Sequence, residues 1–329
     1  WMQTGWFEIL NGSEIDLAAG EIIDMPGLNA GGKTYIHVKG GTNNWSSDLL
    51  HIGSPDFSAT ANLWIMGDGT KFTHDSNVIL RARGGDNYAR MYVTNGANAT
   101  IEGDLGVTGR GASETRVYVD GSNTQLSVDG NLSLGDWSAF DQPADNLVRV
   151  AENATIEVRT DVLIGENAGA GNTNTLTVQS GGALTVTNQA SGGTLNVLRG
   201  TLAVTGGTVR AHTLLATNGA DSVVAFDAGG LILQASDIDN GIALVAGDGS
   251  SDATLELLAG NHAFADGLSI SNNATLKGGG TLDGNVSVHG TLAPGSSPGT
   301  MTITGTLTLA DSATTAIALQ ADDVYDQIV

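Results

Sequence analysis

The stretch from Arg110 to Asp145 gathers the residue types that saccharide chemistry uses: Arg110, Glu114, Arg116, Asp120, Asp129, Asp136 and Asp141, with Trp137 and Phe140 among them. Two carboxylates flanking a glycosidic bond can divide the work of general acid and of nucleophile or base. Within this set Arg116, Asp120, Asp136 and Asp141 are the catalytic candidates, and Trp137 and Phe140 are candidate sugar platforms. A plainer role competes, because charged side chains that face out of a strand are ordinarily just solvated. Five Trp and five Tyr in 329 residues leave few rings for a saccharide groove. A chain without catalytic activity is therefore the preferred expectation, and a carbohydrate-active enzyme, a lyase or glycoside hydrolase, the alternative.

Metal chemistry has less support. His37, His51, His74, His212, His262 and His289 are scattered without ligand spacing, and there is no cysteine to supply a thiolate. Asp237-Ile238-Asp239-Asn240-Gly241 opens like a calcium loop, but the bidentate glutamate that should close it is missing. Asp237 and Asp239 are thus the metal candidates, for Ca2+, with a plain turn as the better reading and no cofactor expected. Seven Asn-x-Ser/Thr triplets arise wherever a turn asparagine precedes a strand, so they do not imply glycosylation.

The elements that must position these residues are strands. Glycine reaches 47 and proline stops at 5, and no stretch keeps apolar residues at i, i+3, i+4 and i+7 long enough for a helix. The absence of cysteine rules out a disulfide framework. With 35 acidic against 13 basic side chains, the net charge of −22 repels nucleic acid. No apolar run approaches the ~20 residues of a membrane-spanning helix.

A recurring unit organises the chain: a short alternating strand, a turn rich in Asn, Gly, Asp and Ser, a second strand and another turn. Val93, Val119, Val150 and Val178 mark successive copies at nearly even intervals. Each strand resembles the one a full unit away more than its neighbour, so like stacks on like. The pattern predicts a right-handed parallel β-helix of about a dozen rungs, each of about 27 residues. One inward column would hold the four valines, and another Ile101, Leu126, Ile156 and Leu184. Gly109–Glu114, Asp136–Asp145 and Glu166–Asn174 are expected as loops leaving the coil.

From Gly193 the units tighten into Gly-Thr-Leu punctuation, as in Gly280-Thr281-Leu282 and Gly290-Thr291-Leu292, and lead into Ala293-Pro294-Gly295-Ser296-Ser297-Pro298-Gly299-Thr300. This stretch resembles the passenger repeats of autotransporter-type exported bacterial proteins, the autotransporter-associated β-strand repeats, which end near Tyr-Asp-Gln-Ile-Val. The matching residues are Gly290 to Thr300 and Tyr325 to Val329. The resemblance covers Gly193 to Val329 well and Tyr92 to Asn188 loosely, and leaves out the segment 1–60. It implies a right-handed β-helix at the outer surface of a Gram-negative-type bacterium, and it implies no catalytic residues.

Three regions are expected: a cap-like segment with irregular rungs over 1–60, rungs with loop insertions over 61–192, and regular rungs over 193–329. Trp1, Trp6 and Phe7 begin an apolar cluster suited to covering the open end of a coil. Ile328 and Val329 sit in a strand-like ending, whose unpaired backbone groups could accept another strand. These residues are the candidates for end-on self-association, and a cell-surface polysaccharide is the other candidate partner. The expected function is that of an extracellular structural or adhesive element, with a phage-like fibre as a further alternative.

Overall fold

The computed structural model describes residues 4–10, 14–16, 22–25, 32–53, 59–84, 87–111, 113–135, 144–166, 173–188, 192–295, 299–321 and 324–329, with the backbone alone up to 34. Each turn of the chain lays one strand on each of three faces. In one turn these are Tyr88–Thr94, Asn98–Ile101 and Leu105–Arg110. The next turn repeats them as Glu114–Asp120, Gln125–Val128 and Leu132–Leu134, each parallel to its predecessor. On the first face the ladder makes twelve parallel steps, from Thr4–Leu10 to Leu307–Leu309. The chain is an all-β parallel solenoid. The only helical element among the described residues is the short 3-10 turn Gly219–Asp221.

Alternation along each strand sends every second side chain inward, and equal registers stack these into columns. Val93, Val119, Val150 and Val178 form the expected column, which continues into Val204 and Phe226. Burying each such side chain contributes about 1.5–3 kcal/mol, so the columns stabilise an elongated core without a globular centre. The second expected column needs one correction. Leu126, Ile156 and Leu184 do stack, but Ala99, not Ile101, lies below Leu126, and Ile101 belongs with Val128, Val158 and Val186. A bulky residue two positions along points the same way, so hydrophobicity alone could not choose between the two.

The corners account for the polar residues of the repeat. Asn95, Asn123 and Asn153 turn the chain out of successive first-face strands with φ of 58°, 62° and 65°, a left-handed conformation asparagine tolerates. Farther along, Asn146 accepts from the Gly109 amide at 2.6 Å and donates to Asn174 Oδ1 at 2.8 Å, while Asn174 donates to the Arg199 carbonyl at 3.0 Å. Such side-chain ladders satisfy polar groups that the coil would otherwise bury unmet.

Rung length divides the coil in two. First-face strands begin at Tyr88, Glu114, Asp145 and Thr173 on the earlier turns. Later they begin at Leu244, Leu268 and Val286, so each turn there is built from visibly less chain. The change comes where Gly200–Ala216 and Ser222–Ile238 run without a break across all three faces. Tight corners there depend on glycine. A Cβ on Gly278, which has φ of +104°, would lie 1.9 Å from the Leu257 carbonyl oxygen.

At the two ends the backbone continues the coil. Thr4–Leu10, Glu14–Asp16 and Ile22–Met25 pair in parallel with the first full turn, Trp6 opposite Tyr35 and Phe7 opposite Ile36. Trp1 lies outside the described residues. At the other end Gln327–Ile328 pairs with Thr300–Met301. The Val329 backbone, expected to be open, donates to the Met301 carbonyl at 3.0 Å and accepts from the Ile303 amide at 2.8 Å. In a parallel strand the adjacent residue, Ile328, then turns its own groups the opposite way. The Asp326 carboxylate accepts from the Gly299 amide at 2.9 Å and the Ala318 amide at 2.8 Å. The two segments that carry the sequence resemblance are thus held against each other.

Candidate binding face

The outward residues of the first face form a surface that differs from the rest of the coil. Because the register is parallel, His37, Trp64, Tyr92, Tyr118 and Arg149 stand one above another on successive turns. Trp64 and Tyr92 stack with centroids 3.8 Å apart and planes 10° apart, and Tyr92 and Tyr118 with centroids 5.1 Å apart. The Arg149 guanidinium covers Tyr118 at 4.7 Å, while His37 meets Trp64 at 5.8 Å and a 60° tilt. Burial raises the pKa of the Tyr92 hydroxyl. The faces of these rings are largely occupied by one another. A ligand therefore meets their edges, their hydroxyls and the neighbouring polar groups.

Beside the stack runs a set of ion pairs, most of them between rungs. Arg90 reaches Glu114 at 2.6 Å, Arg116 reaches Asp145 at 2.6 Å and Glu114 at 3.3 Å, and Arg149 reaches Asp120 at 2.6 Å. For Arg116, burial works to lower the pKa, but contacts with Tyr118, Asp145 and Glu114 outweigh it and the net shift is upward. These pairs are partly exposed, so each is worth about 1 kcal/mol or less. Their effect is to fix the guanidiniums in place. On the second face Asp129 is likewise paired, with Arg159 at 2.8 Å.

A concavity of about 370 Å³ opens at the lower end of this face, lined by Tyr35, His37, Asn62, Trp64, Met66, Tyr88, Arg90 and Tyr92. It exists because the turn carrying Ala59–Met66 presents the short Asn62 between the larger Tyr35 and Arg90 of the turns on either side. The Tyr35 and Tyr88 side chains hydrogen-bond across that turn. This bond, with burial, pushes the Tyr35 pKa up to about 12. A second trough, about 450 Å³, lies on the narrow turns and is lined by small residues including Ser269, Ser287 and Thr308.

Of the catalytic candidates, Arg116 and Asp120 lie on one outward row of Glu114–Asp120, each held by an ion pair to the next turn. Asp136 and Asp141, with the ring candidates Trp137 and Phe140, fall outside the described residues. Asp237 and Asp239 are exposed on either side of buried Ile238. The turn after them is closed by Asn240, which donates to the Ser222 carbonyl, and by Asp266, which accepts from the Gly241 amide. No group of three acidic or histidine side chains placed to hold a metal occurs among the described residues. His74 and His262 are buried inside the coil, bonded to Ser47 and Ser236, and burial lowers both pKa values. Tyr35, Trp64, Tyr88 and Arg90 were not among the sequence candidates. Their signal was available, since four of the five tyrosines fall in these strands.

Among the described residues no helix is long and apolar enough to cross a membrane. Comparison with family models, with curated proteins and with solved structures yields no match. The class defined by the structure is therefore architectural: a parallel β-solenoid with a stacked aromatic and arginine column on one lateral face.

Proposed function

We propose that the chain is an extracellular structural and adhesive element, displayed at the outer surface of a Gram-negative-type bacterium, that holds a polysaccharide along its first face without cleaving it. The observation that carries this reading is the column from His37 to Arg149, with its flanking ion pairs. It presents hydroxyls, ring edges and fixed guanidiniums along the coil axis, a layout suited to an extended polar polymer. Support for a non-cleaving role comes from Arg116 and Asp120, whose charges are tied into cross-rung pairs. Support for surface display comes from the resemblance at Gly290–Thr300 and Tyr325–Val329.

Retention of the purified chain on immobilised polysaccharides, read together with release of new chain ends, tests the reading. Retention without new ends, lost in a Trp64→Ala/Tyr92→Ala double variant, is expected. Depolymerisation abolished by Arg116→Ala or Asp136→Asn would replace it with the carbohydrate-active enzyme. Protease treatment of intact producing cells tests display: the chain should be cleaved without lysis.

A further inference from the structure

We infer that the concavity over Asn62 is a subsite for a single neutral pyranose unit. Asn62 is outward-facing by register, yet it is only 4% exposed, because Tyr35, Trp64, Tyr88 and Arg90 stand around it. Its amide has no hydrogen-bond partner within the protein among the described residues, although amides buried to this degree are normally paired. An amide offers a donor and an acceptor side by side, which matches two adjacent hydroxyls of a sugar ring. The Arg90 guanidinium lines the same cavity, and the Tyr35 and Tyr88 hydroxyls complete a polar rim.

The walls suit the apolar side of the same ring. Trp64 is stacked against Tyr92 and, among the described residues, meets the tilted His37, and its indole also lines the concavity. The volume of about 370 Å³ lies in the range of small-molecule sites and is too small for more than a short saccharide. Charge selects the neutral form. The Arg90 guanidinium is already matched by Glu114 at 2.6 Å and lies 3.9 Å over the Tyr88 ring, and the whole chain carries −22, so a uronic acid gains little and is repelled at long range.

This deepens the adhesive reading above, and its test uses single sugars on the isolated full chain, so either claim can fail without the other. Calorimetric titration with glucose, galactose, mannose, N-acetylglucosamine and glucuronate should find at least one neutral sugar that saturates a single site, with glucuronate weaker. Asn62→Leu, which keeps the shape of the side chain and removes the amide, should weaken that sugar by about tenfold or more. Asn62→Ser should weaken it less. Ser269→Leu, in the trough on the narrow turns, should leave it unchanged. Melting curves of the variants establish that they are folded. Absence of saturable binding by any neutral sugar, equal binding by folded Asn62→Leu, or preference for glucuronate would overturn the assignment.

Discussion

The outward column of the first face changes character halfway along the molecule. On the wide turns it reads His37, Trp64, Tyr92, Tyr118 and Arg149; on the following turns it becomes Thr177, Ala203 and Ala225, and farther along Val245, Ser269, Ser287 and Thr308. The inward column hardly changes, since Val119 and Val150 in one half correspond to Ile270 and Val288 in the other. The core requirement is thus the same everywhere. Only the outside differs, and the wide turns carry the stacked rings and most of the cations. Of the aromatic residues after Arg149, Phe226 and Phe264 are buried in the core and Tyr325 lies near the chain end.

If the cores are equivalent, a charge buried in either half should be equally damaging. Ile156→Asp on the wide turns and Leu276→Asp on the narrow ones replace fully buried side chains, and each should cost about 4 kcal/mol or more. Outward Glu157→Lys should stay within about 0.5 kcal/mol. Denaturant titration checks all three. Tolerance of one core charge but not the other would show that the halves are held together differently.

The corners should distinguish the halves. Gly278→Ala on the narrow turns forces a Cβ against the Leu257 carbonyl at positive φ, whereas a Cβ on Gly69, also at positive φ, meets nothing within 4 Å. We expect a loss of about 3 kcal/mol for the first and about 1 kcal/mol for the second. Melting temperatures that rank them the other way would contradict the account of rung tightening.

Each half also buries one histidine with a lowered pKa, His74 on the wide turns and His262 on the narrow ones. A folded-state value below the unfolded 6.5 means that the unfolded chain binds more protons as pH falls. Stability attributable to these groups is therefore full above that value and declines as pH drops below it. Unfolding free energies measured from pH 8 down to pH 5, about 1.5 units either side of the ordinary histidine value, should show this decline. It should be shallower in His74→Gln and in His262→Gln, by similar amounts. A variant whose slope matches the wild type would remove that histidine from the account.

The fold was legible because the inward columns impose a period on the sequence. Val93, Val119, Val150 and Val178 repeat at the coil's own interval and stack as that interval predicts. Ile101 went astray because the turns differ slightly in length, and Ala99 hides beside a bulkier neighbour of the same facing. The site was harder to see for a related reason. Tyr35, Asn62 and Arg90 are each a full turn of chain apart and become neighbours only through register. Clustered charges in the sequence point to the loops near Asp136, while the rings that meet in space are spread over three turns. Asn62 carries no sequence signal as a site, because its role comes from being shorter than the residues above and below it.

An adhesive first face requires a ligand to touch the wide turns and not the narrow ones. Hydrogen–deuterium exchange of the full chain, with and without a retained polysaccharide, reads this directly. Added protection confined to Gly32–Lys39, Ala59–Met66, Tyr88–Thr94, Glu114–Asp120 and Asp145–Ala151 is the predicted result. Protection over Leu268–Ile270, Val286–Val288 and Leu307–Leu309 instead, or spread evenly over both halves, would contradict it.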